Sequence, residues 1–211
     1  MSAESSRRFD GISTNNYSFD YFIFIAQKRE ISPLFKTLQP INNHFYSGVI
    51  HGYNVGVYVT GVGKNAVKLS VKRFRQLNIM ATTYLNLGNV GALKDYLPTT
   101  IFKVGQVFGE NGKKCIVLDN NSPFSMVTVN STQRKGQLRS QYPEADLVDM
   151  ELYEIAKLLQ GLPIVSYKIV IDSYHLNPNS WLFKIILPLL IWVNAKKLST
   201  YISEGIKLQK I

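Results

Sequence analysis

Carboxylates stand close to the ends of several apolar segments in this chain, and they are residues that can do chemistry. Glu30 follows "YFIFIA", residues 21–26, and Asp172 ends the apolar segment that begins at residue 162. Glu151 lies in "DMELYE", with apolar residues on both sides. A positioned carboxyl group can transfer a proton or accept hydrogen bonds from hydroxyl groups. The three residues are therefore candidates for acid–base chemistry or for binding a polar ligand.

Two turns with paired glycines, "TGVGK" and "NLGNVGAL", also follow apolar segments. The first lacks the G-x-x-x-x-G-K-[ST] spacing of a phosphate-binding loop, so Gly61 and Gly63 are more often plain turn residues. Asp172 is open to a similar interpretation as a helix N-cap. No one of these features is specific by itself. In α/β sheets, however, ligands bind at the carboxyl ends of the strands, where these residues are expected to lie.

Apolar segments with β-branched and aromatic residues alternate with helical patterns along the chain. This alternation predicts an α/β fold: a single domain over residues 19–211 with a mixed, mostly parallel central sheet and helices on both faces. Residues 1–18 are predicted to be disordered or extended. The predicted strands are 21–26, two within 44–61 with a turn near Gly52, one before the loop "NLGNVGAL", several within 100–130 and one at 162–172. The predicted helices are "REISPLFKTL", "KNAVKLSVKRFRQL", "ADLVDMELYEIAKL" and most of residues 179–210.

Composition restricts the function classes. The net charge is +10, but the basic residues are scattered as pairs, which argues against nucleic-acid binding. The three histidines lack metal-ligand spacing, so neither a metal nor a cofactor is expected. One cysteine and a polar N-terminus favour a reducing, cytoplasmic location.

The longest apolar stretch is "WLFKIILPLLIWV", residues 181–193, which is shorter than the roughly 20 residues of a membrane span. It predicts a buried helix, with a subunit contact left open, and no membrane partner. A homodimer is therefore one open alternative.

The order of the motifs resembles the purine nucleoside and uridine phosphorylase superfamily, in its nucleosidase branch of methylthioadenosine/S-adenosylhomocysteine nucleosidases. "FIFIAQKREISPL" is similar to the first strand and its glutamate turn, and "TGVGKNAV" to a glycine segment of that family. "LNLGNVGAL" is similar to the N-x-G-[ST]-x-G-G loop. "VDMELYEIAKL" and "YKIVIDSYH" resemble the methionine–glutamate helix and the strand that carries the catalytic aspartate. The resemblance covers about residues 21–175.

The resemblance implies cleavage of the N-glycosidic bond of a purine nucleoside. Asp172 is then the acid that protonates the departing base, and Glu30 orients and deprotonates the attacking water. Glu151 would accept hydrogen bonds from the ribose hydroxyls, and Met150 would pack against the sugar. The other implied substrate-binding residues are Gly61, Val62, Gly88, Asn89 and Lys168.

The sequence departs from the family pattern at several positions. Asn89 replaces a serine or threonine, Ala92 replaces a glycine, and Ile171 precedes Asp172 where a serine or threonine is usual. These differences leave three alternatives open. The first is futalosine hydrolysis, for which Trp181 is a similarity. The others are phosphate-dependent cleavage and a degenerate, non-catalytic member that binds a nucleoside.

Overall fold

One large mixed sheet organises the computed structural model, which describes residues 16–110, 115–129, 135–173 and 181–208. Within those residues eleven strands share the sheet. The strands are β1 Tyr17–Ile25, β2 Leu38–Pro40, β3 Phe45–Ile50, β4 Tyr53–Val59, β5 Ile79–Ala92, β6 Ile101–Val104, β7 Gln106–Phe108, β8 Cys115–Val117, β9 Ser125–Thr128, β10 Leu147–Asp149 and β11 Ile164–Asp172. The α-helices are α1 Lys64–Phe74, α2 Lys135–Gln141, α3 Leu152–Leu158 and α4 Trp181–Leu208.

The middle of the sheet is parallel, in the order β4, β1, β5 and β11. Antiparallel strands β3 and β6 flank it, next to β4 and β11. Helices cover both faces of the middle strands, which explains the continuous apolar sequence of β1. Ile23 and Ile25 pack on the face that carries α4, whereas Phe22 and Phe24 pack on the face that carries α1 and α3. The predicted mixed α/β fold is confirmed.

β5 is longer than the predicted strand, because the segment "NLGNVGAL" continues it instead of forming a loop. β11 pairs with it from Tyr84 to Gly91 along one edge. On the opposite edge β1 pairs with β5 as far as Asn86, and β10 pairs antiparallel at Gly91 and Ala92. The expectation of a glycine loop here was wrong, since strand pairing with three neighbours holds the glycines extended.

Two predicted helices differ in the structure. β10 occupies residues 147–149 of the helix predicted in "ADLVDMELYEIAKL", and α3 begins only at Leu152. Leu147 pairs with both Ala92 and Met126, so bonding between two strands outweighs the local helical pattern. "REISPLFKTL" forms two short 3₁₀ helices on either side of Pro33, which has no N–H to continue the first one.

The long C-terminal helix is confirmed as α4, but its first half is not buried as predicted. Residues Phe183–Lys207 are long and apolar enough to cross a membrane by length and composition, and 28% of their most apolar window is buried. The C-terminal half packs on the sheet through Leu198, Ile202 and Ile206. The expectation for residues 1–18 concerns mostly residues outside the described part, and β1 begins at Tyr17.

Candidate active site

The site is built on residues 87–90 of β5, which have no strand partner on one edge among the residues that the structure describes. On that edge the pairing with β1 ends at Asn86, and the pairing with β10 starts at Gly91. A strand edge without a neighbour presents backbone N–H groups to other acceptors. Here the acceptor is a side chain: Asn89 N donates to Glu30 Oε1 at 3.2 Å. We call residues 87–90 the open edge of β5.

Glu30 is held by backbone donors from two directions. Its Oε2 accepts hydrogen bonds from Ala26 N at 2.8 Å and Gln27 N at 3.0 Å, at the turn after β1. Burial raises the pKa of the Glu30 carboxyl, while the hydrogen bonds from Gln27 and Asn89 act in the lowering direction. A Cβ at Gly88 would lie 3.1 Å from Glu30 Oε1, so glycine makes room for the carboxylate there.

Glu151 occupies the N-cap position of α3 and reaches across to the turn before α1. Its Oε1 accepts from Gly63 N at 2.7 Å, and its Oε2 accepts from Met150 N at 3.3 Å. Gly63 has a φ of 84°, a conformation that favours glycine. Burial, followed by the negative charge of Asp149, raises the pKa of Glu151 to about 7. This carboxylate therefore titrates near neutral pH.

A buried ion pair lies between the two glutamates. Lys168 Nζ is 3.0 Å from Asp149 Oδ2, with 2% and 1% of the two side chains exposed. Asp149 also accepts hydrogen bonds from Thr128 Oγ1 at 2.6 Å and from Leu152 N at 3.0 Å. The charge of Lys168 lowers the pKa of both Glu30 and Glu151. Lys168 is thus the cation that interacts with three buried carboxylates, those of Asp149, Glu30 and Glu151.

Asp172 ends β11 and has a different cation. Lys135 Nζ lies 2.8 Å from Asp172 Oδ2 and donates to the main-chain oxygens of Asp172 and Ser173 at 3.2 and 2.7 Å. Burial raises the pKa of Asp172, and Lys135 acts against that rise. A Cβ at Gly91 would come within 2.9 Å of Asp172 Oδ1.

The structure brings together most of the predicted site, with Asp172 at its far end. In the pairing of β11 with β5, Lys168 stands opposite Gly88 and Asp172 opposite Gly91. Their partners on β5 are three residues apart, so Lys168 and Asp172 are about 10 Å apart along the strand direction. Within the described residues the cations next to the two glutamates and to Asp172 are different lysines. The glutamates and Asp172 thus lie at different points along β11, each with its own lysine.

The remaining predicted residues lie in the turn before α1, next to Gly63, or on β5. Gly61 has a φ of 84° in the turn before α1, and the Val62 side chain beside it is half exposed. Met150 places its Cε next to Gly63, where an added Cβ would be 3.4 Å away. The Asn89 side chain is engaged by α4, since Asn194 Nδ2 donates to Asn89 Oδ1 at 2.7 Å.

Sequence reasoning missed Asp149 and Lys135. Asp149 stands two residues before Glu151, in a segment that was predicted to be helical, and only its place in β10 shows that it faces Lys168. Lys135 is 37 residues from Asp172 and carries no motif.

The site does not coincide with a metal cluster or with the surface depression at the start of β3. No cluster of His, Cys, Asp or Glu suited to a metal ion occurs among the described residues. The depression, about 350 Å³, is lined by Asn42, Asn43, His44, Tyr58, Arg73, Gln76 and Leu77. It contains none of the three candidate carboxylates.

Comparison with known proteins identifies the architecture. The sequence matches no model of a protein family and no curated protein. Solved structures do match: a methylthioadenosine/S-adenosylhomocysteine nucleosidase from Campylobacter jejuni has a TM-score of 0.72 and 15% identity, covering 90% of this chain and 99% of that one. A variant of the Helicobacter pylori nucleosidase, with 5′-methylthioadenosine in its active site, has a TM-score of 0.69 and 18% identity, covering 88% and 99%.

The chain has the fold of these nucleosidases. The futalosine hydrolase of Helicobacter pylori shares it as well, with a TM-score of 0.67, 18% identity, and coverage of 89% of this chain and 98% of that chain. The nucleosidase fold predicted from the motif order is therefore confirmed. At such identities the likeness gives the architecture, and the chemistry must be argued from the side chains.

Proposed function

We propose that this protein is a cytoplasmic purine nucleosidase, which hydrolyses the N-glycosidic bond of methylthioadenosine, S-adenosylhomocysteine or a related nucleoside. The observation that carries the proposal is the placement of Glu30 and Glu151. Both are buried carboxylates with raised pKa values. Glu30 is held by backbone N–H groups after β1 and by Asn89 N, and Glu151 by Gly63 N and Met150 N. The comparison proteins with this fold are named as enzymes that act on such nucleosides.

Each carboxylate has a role that suits its surroundings. Glu30 takes a proton from the attacking water, and burial brings its pKa towards the range that a general base needs. Glu151, once ionised, accepts hydrogen bonds from the two ribose hydroxyls, with Met150 against the sugar. Asp172 protonates the departing base. Gly88, Asn89, Gly61, Val62 and Lys168 complete the substrate site.

Charge supports hydrolysis over phosphorolysis. A phosphate beside the sugar requires cations or free backbone donors. The cation at the glutamate end, Lys168, is already paired with Asp149, and Glu30 and Glu151 add further negative charge. A phosphate dianion would therefore meet repulsion where a neutral water would not.

The test is base release from methylthioadenosine, S-adenosylhomocysteine, inosine and futalosine, with and without phosphate. We expect release without phosphate. Asp172→Asn and Glu151→Ala should each lower turnover at least about a hundredfold, as expected for loss of a general acid or a substrate ligand. Glu204→Gln, an exposed carboxylate on α4, is the matched control and should keep full activity. Unchanged turnover in both site variants would refute the proposal.

The Lys135–Asp172 pair favours a second candidate, a nucleoside-binding protein without turnover. Lys135 favours the ionised form of Asp172, and an ionised carboxylate has no proton to give to a departing base. Thermal stabilisation by adenine, together with no base release from any of the four nucleosides, would support this candidate over the nucleosidase.

A further inference from the structure

The first half of α4 presents a continuous apolar face to the outside. Trp181, Ile185, Leu189 and Trp192 follow one another at spacings of four, four and three residues, which places them on one side of the helix. Their exposed fractions are 73, 63, 60 and 59%. Isolated exposed apolar residues are common on protein surfaces, but a contiguous set of large ones indicates a partner. We call these four residues the α4 face.

The charges around the α4 face are positive. Lys184 and Lys196 are exposed on the same helix close to that side, and residues 181–193 contain no aspartate or glutamate. Lys196 Nζ lies 5.7 Å from the centre of the Trp192 ring. The whole chain carries a net charge of +10. An apolar face with tryptophans at both ends and lysines beside it matches the chemistry of an anionic lipid surface.

The attachment of α4 to the sheet decides between lying on a membrane and crossing it. Beyond residue 193 the helix is fixed to the domain, since Asn194, Ala195 and Leu198 are buried. The part of α4 before that anchor, residues 181–193, is about 20 Å long at about 1.5 Å per residue. Phe183 in this part is buried, whereas the side chains of the α4 face are exposed. A bilayer core is about 30 Å thick. Residues 181–193 are therefore suited to the interface and too short to span.

We infer that the α4 face docks the protein on membranes that contain anionic lipids. Trp181 and Trp192 insert at the level of the headgroups, Ile185 and Leu189 reach the acyl chains, and the lysines contact lipid phosphates. The contact is parallel to the membrane surface, and it departs from the expectation of no membrane partner. This inference does not depend on the proposed enzymatic activity.

The two tryptophans supply the test, because the chain has only Trp181 and Trp192. The full chain is mixed with vesicles of phosphatidylcholine and phosphatidylserine, and tryptophan emission and co-sedimentation are measured. We expect a shift of the emission to shorter wavelength and sedimentation with the vesicles, both reduced by high salt and absent with phosphatidylcholine alone. Lys184→Ala should weaken the partition about fivefold.

The variant Ile185→Glu with Leu189→Glu should lose both signals while its thermal unfolding stays unchanged, since both side chains are exposed. Met80→Glu, an equally apolar and exposed residue on β5, is the matched control and should bind as the unmodified chain does. Three results would overturn the inference: no vesicle binding, binding that survives the double variant, or an emission shift that grows with protein concentration in the absence of lipid. The last would assign the α4 face to a second copy of the chain.

Discussion

Lys135 Nζ lies 2.8 Å from Asp172 Oδ2 and also donates to the Asp172 main-chain oxygen. The positive charge of Lys135 thereby offsets the negative charge of Asp172, the residue that is proposed to protonate the departing base. Burial pushes the pKa of Asp172 upward and Lys135 pulls it down. The proton affinity of the proposed acid is thus a balance between burial, the larger effect, and one nearby cation.

Replacing that cation should move the pH range of activity. In Lys135→Met the Asp172 pKa loses its lowering influence, so the acid stays protonated at higher pH. An opposite charge this close typically lowers a carboxyl pKa by about 1 to 3 units. The alkaline limb of the kcat/KM profile should therefore shift to higher pH by about 1 to 3 pH units. The measurement is a pH–rate profile. Lys157→Met, at an exposed lysine of α3, should leave the profile unchanged; an identical profile in Lys135→Met would contradict the prediction.

The Lys168–Asp149 pair should be strongly coupled in stability. Lys168→Met leaves three buried carboxylates without their cation, and loss of one partner of a buried pair costs about 3 to 5 kcal/mol. Adding Asp149→Asn removes one of the unpaired charges and should recover part of that loss. Urea unfolding of the two single variants and the double variant forms the cycle. Strict additivity would show that the pair is not coupled.

Glu151 should make stability depend on pH in the direction opposite to an ordinary salt-bridged carboxylate. Its pKa rises from 4.5 to about 7 on folding, so the folded chain keeps a proton that the unfolded chain releases. The contribution of Glu151 to the free energy of unfolding is therefore greatest at low pH. It falls as pH rises from about 4.5 to 7, by at most about 1.4 kcal/mol per pH unit.

The check is thermal unfolding of Glu151→Gln across that pH range. The variant should show a smaller fall than the unmodified chain, and Glu30 and Asp172, whose pKa values are also raised, contribute to the fall that remains. Parallel curves for the two proteins would argue against a titrating Glu151. The same titration predicts weaker nucleoside binding below about pH 7, where the protonated Glu151 accepts fewer hydrogen bonds.

The substitution Gly91→Ala should lower turnover more than it lowers the free energy of unfolding. A Cβ there would lie 2.9 Å from Asp172 Oδ1 and 3.1 Å from Val148 Cγ1, so Gly91→Ala must displace the end of the aspartate. Turnover should fall at least about tenfold, since a displaced acid no longer meets the base in line. A Cβ at Gly136 in α2 meets nothing within 4 Å, so Gly136→Ala is the control. Equal activity of the two variants would exclude the predicted displacement.

The sequence alone was sufficient to predict the strands with continuous apolar segments and the helix with clear apolar spacing. The apolar segments that became β1, β4 and β11, and the helical spacing that became α1, needed no tertiary information. β10 did need it, because Leu147 is extended only through its two neighbouring strands. The glycines of β5 indicated a loop, but pairing with β11, and with β10 at Gly91, keeps them extended.

The site shows the same division. Glu30 and Glu151 stood out because each carboxylate follows a recognisable segment; Glu30 contacts the open edge of β5, and Glu151 contacts the turn before α1. Lys168 was also predicted, but Asp149 and Lys135 did not stand out. Lys168 is bonded to Asp149, and Lys135 to Asp172, across 19 and 37 residues of chain. Such pairings depend on how strands meet, which a single sequence does not state.

The long separations within the site also bear on how the chain folds. Gly63 N reaches Glu151 across 88 residues, and Asn89 N reaches Glu30 across 59. Contacts between distant parts of a chain form late, because the closure of large loops must precede them. The amide protons of Gly63 and Asn89 should therefore gain protection from hydrogen exchange after those of the β3–β4 hairpin. The times at which these two amides become protected would therefore measure the last stage of folding, in which the site is completed.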